Sequence, residues 1–296
     1  QNIAAIKEKI SQYDIVVEQF RPGVMQRLGL DYATLAEINP RLIYCSITGY
    51  GQTGSYKDKA GHDINYLALS GIAGHSGRTQ SGPPPLGIQV ADIAGGSLHA
   101  VIGILTAVIE RHQSGKGQYI DISMTDCAVA LNSMAAAAAL AGNITQQPES
   151  GILNGASFYD YYETQDGRYL SIGSLEPQFM SGLAQLLALP LLLEKGASLL
   201  SEDRAEVKHA LQEKIKTRSL LEWQQLFSTQ DVCVEPVLTL DEALYSDLAQ
   251  QRHWVAHVPL HEHSSETQAQ LACPIKFSRS AMRYDFIGQA LGTGTW

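Results

Sequence analysis

The chain has 296 residues, 45% hydrophobic and 17% charged, with a formal net charge of −9 and an isoelectric point near 5.4. That length suits one large or two moderate domains, and that composition is globular and able to bury a core. The acid excess excludes a general nucleic-acid binder, which needs a basic face, yet leaves room for a local basic patch toward a phosphorylated ligand.

Gln1 stands where a Met would open a chain, and helical spacing already runs over residues 3–10, so the sequence reads as starting inside a longer protein. A strand follows at 14–18, a turn at 20–24, a short helix at 25–28 and a helix at 32–38. Asn39-Pro40 stops the last of these. Residues 41–47 form an apolar run that reads as a buried strand. Helices alternating with strands predict a parallel sheet.

Residues 48–54 read Thr-Gly-Tyr-Gly-Gln-Thr-Gly, and Gly49, Gly51 and Gly54 match the GxGxxG spacing. A dinucleotide fingerprint must open a helix, so that the pyrophosphate meets its N-terminus. Here Ser55-Tyr56-Lys57-Asp58-Lys59 is polar without an apolar stripe. We therefore read a loop leading into Gly61-His62-Asp63-Ile64-Asn65-Tyr66.

That stretch places an imidazole, a carboxylate, an amide and a phenol within five residues. A histidine takes and gives a proton near neutral pH. Asp63 is a poor orienting partner for His62, because adjacent side chains on an extended strand point to opposite faces. His62 as a base thus needs a partner from elsewhere. The alternative is a surface loop in which Asp63 caps the following helix.

A helix is expected at 66–72 and a loop with three prolines at 76–85. Asp92 then precedes a long apolar helix, about 94–112, with Gly95 and Gly96 in its first turn. Asp92 reads either as an N-cap or as a base or nucleophile, since the helix dipole keeps a carboxylate ionised there. A strand at 118–122, one helix of small residues at 125–140 and a linker at 146–156 come next. Two strands, 158–163 and 168–173, flank the hairpin signal Asp166-Gly167. Glu176 precedes Pro177 at a helix start, where its ordinary role is capping. Three helices are expected within 178–228, a strand at 232–238, a short helix at 241–248 and a last strand at 273–277.

His253, His257, His261 and His263 lie near the end, but no Cys or paired acid completes a metal-ligand set, so we read a solvated loop. Cys45, Cys127, Cys233 and Cys273 are far apart and form no CxxC pair. They read as reduced, mostly buried thiols of a cytoplasmic protein. No signal peptide opens the sequence, and no apolar run reaches membrane-spanning length without polar interruption, so no membrane partner is expected.

Taken in order, the sequence carries Glu18-Gln19-Phe20-Arg21-Pro22-Gly23, Asn39-Pro40-Arg41-Leu42-Ile43-Tyr44, Gly49-Tyr50-Gly51-Gln52-Thr53-Gly54 and Gly61-His62-Asp63-Ile64-Asn65-Tyr66. Ala91-Asp92, Gly115-Lys116-Gly117-Gln118 and Glu176-Pro177-Gln178-Phe179 follow. This ordered set resembles the family III CoA-transferases (CaiB/BaiF) and, within them, the α-methylacyl-CoA racemases. The resemblance implies an α/β fold: a Rossmann-like large domain with a parallel sheet, a smaller α+β domain, and two chains interlocked as a homodimer. Its ranges would be 1–122 for the large domain, 123–157 for a linker, 158–250 for the small domain and 251–296 for a segment returning to the large one. Members begin with a segment carrying the first strand and part of the CoA site, and this sequence starts after it.

The resemblance also implies an acyl-CoA thioester substrate, epimerised at its 2-methyl centre by bases matching His62 and Asp92. A glutamate matching Glu176 stands beside the histidine, and backbone donors near Asp63 complete the catalytic set. Gly61, Tyr66 and Arg21 would meet the CoA. No metal or redox cofactor is required, because the CoA belongs to the substrate. The transferases use the aspartate as a nucleophile that forms an aspartyl-CoA thioester, and they generally lack the histidine. His62 together with Glu176 therefore points to the racemases.

Overall fold

A computed structural model describes residues 2–288. The chain divides into two compact units, Gln1–Asp160 with Gly173–Leu211, and Tyr161–Ile172 with Gln212–Trp296. The first opens with α1 (Asn2–Lys9), β1 (Ile15–Glu18), α2 (Val24–Leu28), α3 (Tyr32–Ile38), β2 (Ile43–Thr48) and α4 (Asp63–Leu69). A π-helical segment, Ala91–Leu98, then runs straight into α5 (His99–Ser114). β3 (Tyr119–Ser123), α6 (Met124–Leu131) and α7 (Ser133–Gly142) follow. β4 (Asp160–Glu163) and β5 (Tyr169–Ile172) precede α8 (Pro177–Leu187), α9 (Leu191–Lys195), α10 (Ser201–Ile215) and α11 (Leu220–Phe227). β6 (Val234–Pro236), α12 (Leu240–Leu244), α13 (Asp247–Arg252), β7 (Val255–Pro259) and β8 (Thr267–Leu271) complete the described elements.

The first unit is mixed α/β around a parallel sheet of order β1-β2-β3, with Ile15 beside Ile43 and Tyr44 beside Tyr119. The central strand β2 is buried along most of its length, which is why it reads as an unbroken apolar run. Its alternate side chains enter different cores. Tyr44 packs with Ile10, Leu30, Leu35 and Leu42, and its hydroxyl donates to the Leu30 carbonyl at 3.0 Å. Cys45 packs instead with Ala100 and Ile122. Asp31 caps α3 by accepting from the Thr34 amide.

Several sequence expectations for elements need correction. The apolar helix expected at 94–112 begins at Ala91 and ends at Ser114. At 24 residues it is long and apolar enough, by length and composition alone, to cross a membrane, which corrects the view that nothing here reaches that length. Its Ala100 nevertheless packs against the sheet, and its Arg111 donates to the Arg41 carbonyl and pairs with Asp14. The single helix expected at 125–140 is two, α6 and α7, bent by 74°. The break falls at Asn132, whose amide closes α6 on the Ala128 and Val129 carbonyls while its side chain bonds His75.

Within 178–228 there are four helices, not three, and residues 273–277 hold no strand. The C-terminal hairpin is formed instead by β7 and β8, and His257 lies in it. In the second unit β5 and β6 pair antiparallel, and Trp223 is buried against Phe227 with its Nε1 donating to the Ile215 carbonyl. Of the cysteines only Cys45 is buried; Cys127 and Cys273 are half-buried and Cys233 is exposed.

Candidate active site

A cavity of about 320 Å³ opens in the first unit at the C-terminal ends of β1 and β2. That is where open parallel α/β sheets place their ligands. Its walls come from the turn after β1 (Gln19 to Pro22), the end of β2 (Ile47 to Tyr50) and the loop into α4 (Lys57 and Lys59 to His62). Tyr66, Asp92, Ser97 and Met124 close it. Of the residues singled out in the sequence, His62, Asp92, Tyr66, Gly61 and Arg21 all line this one cavity. Asp63 and Glu176 do not.

No helix begins at Gly49 to Gly54; the glycine-rich stretch is a loop, and α4 starts only at Asp63. His62 is the N-cap residue of α4 in extended conformation. Its backbone N–H donates to Asn65 Oδ1 at 3.0 Å, so the side chain that serves the start of this helix is Asn65, not Asp63. This leaves the His62 ring at the exposed mouth of the helix, on the cavity wall. The Tyr66 hydroxyl donates to the Gly61 carbonyl at 2.7 Å and fixes the residue before the histidine. Gly49 and Gly61 must be glycines here. A Cβ on either would stand about 2.5 Å from the Tyr66 ring or the Tyr50 hydroxyl.

Asp63 has a different task. Its Oδ1 accepts from the backbone amides of Ala91, at 2.6 Å, and Asp92, at 3.0 Å. A carboxylate from α4 thereby caps the helix that carries Asp92, 28 and 29 residues away in sequence. Asp92 is consequently no N-cap. It sits in the first π turn, and its side chain faces the cavity. Burial, and the Asp63 carboxylate after it, push the Asp92 carboxyl above its ordinary range, while the His62 charge pulls it down. Burial also pushes the Tyr66 phenol up, with Tyr50 and Asp92 adding to the rise.

Arg21, Lys57 and Lys59 put three cations on the cavity wall, with Lys59 lying over the Tyr56 ring at 3.6 Å. In the sequence the two lysines belong to a polar loop, and only the fold turns them toward the site. Ser97 was not singled out either, and no motif marks it. Glu176 occupies the N-cap position of α8, is exposed and makes no side-chain cap bond. No hydrogen bond or ion pair joins it to His62 among the described residues. No cluster of three or more His, Cys, Asp or Glu able to hold a metal is present among the described residues.

A family model described as CoA-transferase family III matches residues 1–288. The chain belongs to CoA-transferase family III. Among its relatives are proteins named alpha-methylacyl-CoA racemase from Mus musculus, 39% identical over 254 residues, and from Homo sapiens, 37% identical over 251. These matches cover 85% and 84% of this chain but 66% and 65% of the relatives, so the chain spans somewhat less than two thirds of their length. A further relative is a human protein named succinyl-CoA:glutarate CoA-transferase, 32% identical over 242 residues, covering 80% of this chain and 55% of that protein. The crystal structure of a CaiB/BaiF family protein from Brucella suis is similar with a TM-score of 0.78 at 28% identity. It covers 96% of this chain and 74% of that one.

Proposed function

We propose that this chain carries the catalytic centre of a 2-methylacyl-CoA racemase, an isomerase that inverts the 2-methyl centre through an enolate. The observation that carries the reading is that His62 and Asp92 line the same cavity from two different elements, the loop into α4 and the π-helical segment, each held through its own backbone amide. One base takes the proton from C2, leaving its electron pair in the enolate. The other base, protonated, returns a proton to the opposite face. Neutral imidazole with carboxylic acid serves one direction with His62 as the base, and imidazolium with carboxylate serves the other. An Asp92 carboxyl held above its ordinary range is suited to alternate between the two forms. Positioned acid and base groups contribute about 10²–10⁴-fold, so donors to the enolate oxygen, amides near Asp63 among them, supply much of the rest.

Arg21, Lys57 and Lys59 form a local basic patch in an acidic protein, which suits the phosphates of a CoA carried in by the substrate. The reading requires no metal or redox cofactor. We infer further that the first unit is the core of a Rossmann-like large domain, and that the enzyme is a cytoplasmic homodimer. Large apolar side chains stand exposed on α5 (Ile102, Leu105, Ile109) and α7 (Met134, Leu140), as at an interface. The glutamate that His62 lacks in its own chain would be Glu176 of a second copy. The transferase reading draws on the similarity to the human transferase: the Asp92 carboxylate would displace CoA from the thioester to form a mixed anhydride, and the CoA thiolate would then attack the aspartyl carbonyl, releasing the acyl group as a carboxylate and leaving aspartyl-CoA. Incubating one epimer of a 2-methylacyl-CoA in D₂O, with chiral analysis and mass spectrometry of the protein, separates the two. Inversion with deuterium at C2 supports the racemase, and a CoA adduct on Asp92 supports the transferase.

A further inference from the structure

The segment that presents Asp92 is a π-helix, and its register differs from that of the α-helix it feeds. At 3.6 residues per turn, counting back from the buried Ala100, Ile93 would fall within about 20° of the Ala100 face and Ala91 about 180° from it. In the structure Ala91 is fully buried, packed with Tyr66, Leu67 and Ala128, and Ile93 is 49% exposed. The wide turn therefore rotates the residues around Asp92 away from where α-helical winding would set them.

Two side chains span that turn in its own register. Ser97 Oγ donates to the Asp92 carbonyl at 3.2 Å, and His99 Nδ1 bonds the Ala94 carbonyl at 2.6 Å. Each reaches five residues back, the step of a π-helix rather than of an α-helix. Gly95 and Gly96 let the segment lie close to α6, where a Cβ would meet the Met124 carbonyl at 3.1 Å or the Met124 side chain at 3.0 Å. The Asp63 carboxylate holds the upstream end.

We propose that Ser97 and His99 are positioning residues for Asp92, whose side-chain bonds to carbonyls five residues back keep the π turn open and the carboxylate aimed into the cavity. The role of Asp92 as a base rests on the racemase reading above; the positioning itself rests on the turn. For His99 the bond requires Nδ1 to carry the proton.

The test uses the whole chain with Ser97→Ala, His99→Phe and the double substitution, each checked for folding by circular dichroism. Both 2-methylacyl-CoA epimers are incubated in D₂O, and loss of the C2 proton is followed for each. The double variant is expected to lose roughly tenfold to a hundredfold in kcat, the scale of a misplaced catalytic group, with KM nearly unchanged. Washout should slow mainly for the epimer whose proton faces Asp92, and Ser97→Thr, which keeps the hydroxyl, should retain most activity. Equal slowing of both epimers, or none, in folded protein overturns the proposal.

An independent readout is the ¹³C titration of the Asp92 carboxyl, which should move in the double variant. An unmoved titration overturns the positioning whatever the chemistry. A wild-type protein that exchanges no C2 proton while the titration still moves would remove the racemase reading and leave the positioning standing. If the double variant fails to fold, Ser97→Ala alone is scored on the same two readouts.

Discussion

Removing the Asp63 carboxylate tests how the site is built. Its Oδ1 accepts from the amides of Ala91 and Asp92, so Asp63→Ala leaves two helix-start donors without that acceptor. A hydrogen bond to a charged group contributes about 1.5–3 kcal/mol net. Ala91 is fully buried, so its amide loses its partner outright, whereas water can replace part of the bond to half-buried Asp92. The sum is about 2–4 kcal/mol. At 2–4 °C per kcal/mol for a domain of this size, Tm should fall by roughly 5–15 °C.

Asp63→Asn keeps an oxygen acceptor and loses only the charge, so it should cost about 1 kcal/mol. It also removes the like charge that helps push Asp92 up, so for the epimer whose proton Asp92 removes, the acid limb of the pH–rate profile should shift to lower pH. Thermal melts by circular dichroism and initial rates across pH measure both effects. An Asp63→Ala protein with unchanged Tm and unchanged rate would refute the claim that this carboxylate organises the Asp92 turn.

Asp92 itself should trade stability for chemistry. Its folded-state carboxyl binds protons more tightly than the unfolded one, so stability falls as pH rises from the ordinary carboxylate range through the raised value. Asp92→Asn should raise Tm at neutral pH, abolish racemisation, and lose its Tm advantage near pH 3; a lower Tm at neutral pH would contradict this. Substituting Arg21, Lys57 and Lys59 by alanine should raise KM for acyl-CoA by roughly tenfold with little change in kcat, and should flatten the salt dependence of KM; a selective loss of kcat would argue against a phosphate role. Co-expressed His62→Ala and Glu176→Ala chains should recover about half the wild-type activity per mixed dimer, because one site then pairs an intact His62 with the other chain's Glu176. Absence of recovery in purified mixed dimers would place the glutamate elsewhere.

The parallel sheet was legible because its strands are short apolar runs between helices, and α3 (Tyr32–Ile38) begins and ends where its cap and Asn39-Pro40 place it. His62, Asp92 and Arg21 were legible as candidates from residue type and motif, and the fold brings them to one cavity. The job of Asp63 was not legible. Its partners are backbone amides nearly thirty residues on, and backbone donors leave no trace in a sequence pattern. The π turn was hidden for a related reason. Helical periodicity assumes 3.6 residues per turn, and the buried Ala91 and exposed Ile93 do not follow that period. The break at Asn132 followed from a tertiary bond to His75 in a run whose small residues otherwise favour one helix. Lys57 and Lys59 showed the limit of reading a polar stretch as solvated, since a loop can fold its charges over a site.

The central claim is that His62 and Asp92 move the C2 proton of an acyl-CoA between opposite faces. The most direct measurement follows one epimer of a 2-methylacyl-CoA in D₂O by NMR and chiral chromatography together. The account predicts that the opposite epimer appears with deuterium at C2, and that His62→Ala and Asp92→Ala each abolish inversion. Inversion without deuterium at C2, or full inversion by Asp92→Ala, would contradict it.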